Sequence, residues 1–178
     1  GISLRYIKLD PEERFIDREE PLLLRGVHEE TMATGFFLDR VDGDRKPEKL
    51  VFENRSFSRP QKASHSGDLL YTRQRFDEYP ELWVTSGSFD DSRRLTGLGS
   101  QMDPFIWGSS ELIDFVSDDG KPLKGILITP DDFDPEKQYP LMVYIYETLH
   151  TYMTHRFRHP SPGSSINPSY YVSNGYVL

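Results

Sequence analysis

Short runs of alternating apolar and polar residues, set apart by turn-forming clusters, fill the first hundred or so positions and predict meandering antiparallel strands. The alternation places strands over residues 3–9, 21–24, 34–38, 49–52, 68–73 and 81–85. Asp10-Pro11, Asp42-Gly43-Asp44, Ser66-Gly67-Asp68 and Tyr79-Pro80 punctuate them, each a turn former through a preset or permissive backbone. No helical period of useful length occurs there. Residues 64–72, 81–84 and 93–96 read as one unit of three successive strands, the last closing with Leu95-Thr96. Propeller blades are built in this way, as four-stranded sheets of about 40 to 45 residues. The length available covers about two blades, fewer than the roughly four that close a ring.

From Gln101 the pattern changes. Residues 102–108 read as a connector, residues 111–116 as a strand whose hairpin turns at Asp118-Asp119-Gly120, and residues 123–128 as its apolar return. A Pro-bounded acidic loop, 130–135, leads to a fully apolar run from Tyr139 to Tyr146, expected to be a buried core strand. A basic-aromatic stretch from His150 to His159 and a loop rich in Pro, Ser and Gly follow. Residues 169–175 are expected to form a short helix capped by Asn174-Gly175. Tyr176-Val177-Leu178 then reads as a third strand, entered but not completed, so the sequence carries the opening of a second domain.

Composition narrows the class. Hydrophobic residues are 36% and charged ones 28%, which suits antiparallel sheet with one wet face, while 13% aromatics exclude a disordered chain. Twenty-nine acids against 21 bases leave a net charge of −8, a field that repels phosphate backbones, so no nucleic acid partner is expected. The absence of cysteine excludes disulfides and thiolate metal sites. No apolar run reaches the roughly 18 residues needed to span a bilayer, and Gly1 is not followed by a signal-like segment, so no membrane partner is expected and any export signal lies upstream or is absent.

Three stretches resemble the prolyl oligopeptidase family of serine peptidases, in particular its dipeptidyl-peptidase-like bacterial branch. They are Asp119-Gly120 with Leu123-Lys124-Gly125 and Pro130, the run from Lys137 through Tyr146, and Tyr171-Val172-Ser173-Asn174-Gly175-Tyr176-Val177. The resemblance implies a mostly β chain: closing blades of a β-propeller over residues 1–110, then the first strands of an α/β-hydrolase domain over residues 111–178. It implies a parent enzyme that hydrolyses peptide bonds in oligopeptides by acyl transfer through a Ser, Asp, His triad lying outside these residues, with no cofactor. The partners it implies are a peptide substrate, the remaining blades and the rest of the hydrolase domain, in a periplasmic or secreted protein. Tyr146 matches the tyrosine whose hydroxyl donates to the oxyanion; its alternative role is that of a strand aromatic. Glu147-Thr148-Leu149 replaces the Gly-Gly or Gly-Pro turn usual after that strand, which requires a different bend there.

Other constellations point to structure. The nucleophile turn G-x-S-x-G is absent; Gly108-Ser109-Ser110 and Gly163-Ser164-Ser165 lack the second glycine and read as loop serines. His155 and His159 have the four-residue spacing of a metal pair, but Arg156, Arg158 and Pro160 oppose a cation there, so no metal is expected. Arg156 and Arg158, with the two histidines, either form a cationic lip for a substrate carboxylate or belong to a solvated loop. Asp42-Gly43-Asp44, Asp118-Asp119-Gly120 and Asp131-Asp132-Phe133-Asp134 lack the alternating oxygens and later Glu of a calcium loop and read as turns. The residues alone are expected not to turn over substrate. The rival reading is a non-catalytic β-rich module that holds carbohydrate or peptide on exposed aromatics.

Overall fold

The computed structural model describes residues 1–41, 43, 45–145 and 166–178. It is mostly β, built from antiparallel sheets, and divides into two compact units: Gly1–Arg73 with Pro80–Gly97, and Gln74–Tyr79 with Leu98–Leu178.

The first unit contains two antiparallel meanders. One is β1 (Ile2–Tyr6), β2 (Leu22–His28), β3 (Thr34–Asp39) and β4 (Glu48–Glu53), hydrogen-bonded in chain order. The other has β7 (Leu69–Gln74), β8 (Glu81–Thr85) and β9 (Arg93–Arg94) in sequence, while two short strands, β5 (Ser56–Phe57) and β6 (Gln61–Lys62), share the outer side of β7. Pro60 explains that split edge, since a proline offers no N–H to continue a ladder. Pairing runs past β9, because Leu95 N–H donates to Leu82 O at 2.8 Å and the Thr96 hydroxyl donates to the buried Glu81 carboxylate.

Alternation along each strand sends one side chain in two inward, and the inward set is aromatic. Phe36 on β3 is 0% exposed and meets Phe57, Tyr71 and Phe89 at ring-centroid distances of 5.5, 6.1 and 4.8 Å. Ile7, Leu23 and Leu69 complete this core. Each edge-on or tilted ring pair adds about 0.5–1.5 kcal/mol beyond the area it buries. Phe89 is held there by a loop knot rather than by a strand. The Thr85 hydroxyl donates to Asp91 Oδ1 at 2.6 Å and accepts from Phe89 N–H at 3.1 Å, and Ser86 N–H donates to both Asp91 oxygens at 3.1 Å. Hydrogen bonds from Thr85 and Ser86 hold the Asp91 carboxyl below its ordinary pKa.

The second unit contains a 3-10 helix over Leu98–Met102 and then a hairpin of β10 (Ser109–Val116) and β11 (Pro122–Thr129), in register from Ser109 opposite Thr129 to Val116 opposite Pro122. Its turn is closed by Ser117 N–H to Lys121 O at 3.0 Å and Gly120 N–H to Ser117 O at 2.8 Å. Asp119 accepts from the Ser117 hydroxyl at 2.5 Å and pairs with Lys121 at 2.6 Å, which lowers its pKa, Lys121 being the larger cause. Leu178 exchanges both backbone hydrogen bonds with Ile128, and on its other side Val177 bridges Leu141 in parallel. Between Leu141 and Val177 lies α1 (Pro168–Ser173), started by Asn167, whose side chain accepts from Tyr170 N–H at 3.3 Å. It ends as Asn174-Gly175 foretold: Gly175 N–H reaches Val172 O at 3.0 Å, Tyr176 N–H reaches Tyr171 O at 3.1 Å, and the Tyr171 and Tyr176 rings pack at 5.6 Å.

One expected element is corrected. Within the described residues the apolar run 139–145 is not a buried strand: only Leu141 pairs, and Leu141, Val143 and Ile145 are 65%, 66% and 87% exposed. The reason is the neighbourhood, because a continuous apolar run becomes buried only when flanked by strands on both edges and layers on both faces. Here Val177 is its pairing partner among the described residues.

Candidate functional site

Tyr146, Arg156 and Arg158 lie outside the described residues, as do His155, His159 and Gly163-Ser164-Ser165. The described backbone that leads to Tyr146 is fixed at its start by two hydrogen bonds, Val177 N–H to Pro140 O at 3.0 Å and Met142 N–H to Val177 O at 2.8 Å. Ser109 and Ser110 are not loop serines. They open β10, where the Ser109 and Thr129 hydroxyls share a hydrogen bond of 3.2 Å and Ser110 is buried. A strand start places neither hydroxyl on the sharp strand-to-helix turn that exposes a nucleophile.

The acidic loop after β11 is structural. Asp131 Oδ2 accepts from Trp107 N–H at 3.0 Å, Asp134 N–H donates to the Tyr139 hydroxyl at 2.8 Å, and the Phe133 and Tyr139 rings stack at 5.0 Å. These contacts engage the Asp131 carboxylate and the loop backbone in turn formation.

A feature the sequence left unread is a cavity of about 440 Å³ within the second unit. Tyr79, Met102, Phe105, Ile106, Trp107 and Tyr170 form its apolar wall, and Gln101, Asn167, Ser169 and Ser173 add neutral polar groups. Trp107 is fixed by its ring N–H, which donates to Phe76 O at 2.6 Å, and by its contact with the Phe76 ring at 6.1 Å. Phe76 in turn packs with Ile128 and Val172, so the wall stands on the core of the unit. Gly108 sets the direction in which the chain leaves Trp107. Its φ is +85°, and a Cβ there would fall 2.3 Å from Thr129 O and 2.5 Å from Val172 Cγ1. The apolar triplet Phe105-Ile106-Trp107 inside a supposed connector was the signal for this wall. The cavity itself draws on three separate segments and has no spacing to recognise.

No family model matches this sequence, and no curated protein matches it. Among solved structures, a variant of the AtxE2 isopeptidase with astexin3-dC4 bound superposes with a TM-score of 0.64 at 11% identity, over 88% of this chain and 23% of that one. The apo form of AtxE2 isopeptidase gives a TM-score of 0.58 at 12% identity with the same coverage. The chain therefore spans about a quarter of the length of these neighbours. These findings overturn the resemblance to the prolyl oligopeptidase family. Its three stretches fall on the β10–β11 turn with β11, on a run that pairs only at Leu141 among the described residues, and on the end of α1, and the matched structures are named as isopeptidases. What the comparisons establish is a shared β-rich fold with part of the AtxE2 isopeptidase.

Proposed function

We propose that these residues are part of a longer serine hydrolase acting on peptide or isopeptide bonds. In this reading residues 1–110 are blades of a β-propeller that screens access, and residues 111–178 are the opening strands of an α/β-hydrolase domain. The observation that carries it is the parallel bridge of Val177 with Leu141 across helix α1, joined through Leu178 to the antiparallel hairpin β10–β11. A parallel pair with a helical crossover is the unit from which doubly wound sheets grow, and such sheets carry their reacting groups beyond strand ends. The exposed apolar run Leu141–Ile145 supports it, since parallel strands need cover on both faces. The fold shared with an isopeptidase supports the substrate class.

The chemistry is acyl transfer: a serine attacks the carbonyl, a histidine takes its proton and returns it to the leaving amine, and an aspartate orients the histidine. Tyr146 follows the exposed run and serves as a phenolic donor to the oxyanion of the tetrahedral intermediate. The cavity walled by Trp107 favours a second reading, a non-catalytic module that holds peptide or carbohydrate on aromatic side chains. Labelling the full-length gene product with a fluorophosphonate separates the two. Covalent capture of a serine outside residues 1–178, with loss of peptide hydrolysis, is expected; a product that neither reacts nor hydrolyses peptides would establish the binding module instead.

A further inference from the structure

We infer that the Trp107 cavity is a binding site for an uncharged peptide segment that inserts an aliphatic or aromatic side chain. At about 440 Å³ it falls in the size range of small-ligand sites, which combine an apolar lining with a few polar groups. Among the described residues its lining contains no charged side chain, although 28% of the sequence is charged. A charged occupant would lose its hydration there and meet no countercharge from these described residues, a penalty that selects neutral ligands. The polar lining is of the kind a peptide backbone requires. The Gln101 and Asn167 side-chain amides offer N–H donors, and Asn167 keeps them while its oxygen caps α1. Trp107, Tyr79 and Tyr170 also line it, and aromatic side chains supply large contact area at low cost in side-chain freedom. Phe105 and Ile106, both more than half exposed, form the entrance.

The choice of a peptide rests on the function proposed above, but the binding does not need the hydrolytic chemistry, and the test is read without turnover. The sequence has two tryptophans, so a Trp83→Phe variant of the 178-residue chain leaves Trp107 as the only indole reporter. N-acetyl-leucinamide should change Trp107 emission saturably, while N-acetyl-lysinamide and N-acetyl-glutamic acid amide should bind at least tenfold more weakly. Ile106→Lys and, separately, Phe105→Lys should each weaken the neutral probe at least tenfold with the far-ultraviolet circular dichroism unchanged. Equal response to neutral and charged probes, no saturable response, or undiminished binding in both folded entrance variants would overturn the inference. Any of those results leaves the serine-hydrolase reading standing, and an inert full-length protein whose cavity still binds the neutral probe would remove that reading alone.

Discussion

Val177 sits beside Leu141 in a parallel bridge although 36 positions separate them in the sequence, and both backbone hydrogen bonds of the contact belong to Val177. Helix α1 makes this possible. Its Gly175 finish fixes where the chain re-enters the sheet, Tyr176 N–H reaching Tyr171 O just before Val177 N–H reaches Pro140 O. Val172 from that helix is 0% exposed against Ile128 and ties the crossover to the sheet it spans.

Removing one of the two hydrogen bonds tests that relationship. Val177→Pro deletes the N–H that reaches Pro140 O but leaves the carbonyl that accepts from Met142. Met142 amide exchange is expected to speed up tenfold or more, which corresponds to about 1.4 kcal/mol of lost local stability. Amides of Phe36 and Tyr71 in the first unit should keep their protection. Unchanged exchange at Met142 would show that the bridge does not hold this segment.

Gly108 and Gly120 share a left-handed backbone, with φ of +85° and +81°, yet they predict different outcomes. Alanine at Gly120 meets nothing within 4 Å and carries only the conformational cost, about 1–2 kcal/mol. Alanine at Gly108 carries the same cost plus a 2.3 Å approach to Thr129 O, a backbone atom fixed in β11, so the loss should exceed that of Gly120→Ala by about 1–3 kcal/mol. Urea titration of the two variants measures the difference; equal midpoints would mean that the connector shifts freely and does not brace the cavity wall.

How much of this was legible follows from where the information resides. The strands β2, β3, β4, β7 and β8 were readable because alternation and turn residues are local signals, and α1 was readable from Asn174-Gly175. The split edge β5 and β6 was not, since two-residue strands carry no period. The run through Tyr139 and Ile145 misled because apolar composition reports a demand for burial, whereas burial itself depends on neighbours. The cavity was hidden for the same reason: Tyr79, Trp107 and Tyr170 lie far apart in sequence and meet only after the second unit folds.

The knot around Asp91 predicts a specific pH dependence. Its folded pKa is held below the unfolded value, near about 3.9, by hydrogen bonds from Thr85 and Ser86. A depressed carboxyl contributes stability that is present above the unfolded pKa and lost as pH falls through the folded one. The contribution should therefore be full well above about pH 3.9 and decay as pH falls from there through the folded pKa, and Asp91→Asn, which forfeits it, should lower Tm between pH 5 and 8 and flatten the fall of Tm in that acid range. An acid limb of unchanged slope would show that Asp91 does not anchor the loop carrying Phe89.

The last prediction bears on Tyr146, a residue placed by sequence and proposed here as oxyanion donor. In the full-length enzyme Tyr146→Phe removes one hydroxyl and nothing else, so packing is conserved while the donor is lost. If the hydroxyl stabilises the transition state, kcat should fall by about 10² to 10³ with KM little changed, because an interaction made only as charge develops does not contribute to ground-state binding. A purely structural Tyr146 would give less than a threefold change in kcat. The isolated 178-residue chain makes the complementary control: with the proposed triad outside it, chromogenic peptide substrates should remain intact, and turnover blocked by a serine-directed phosphonate would place the nucleophile within these residues.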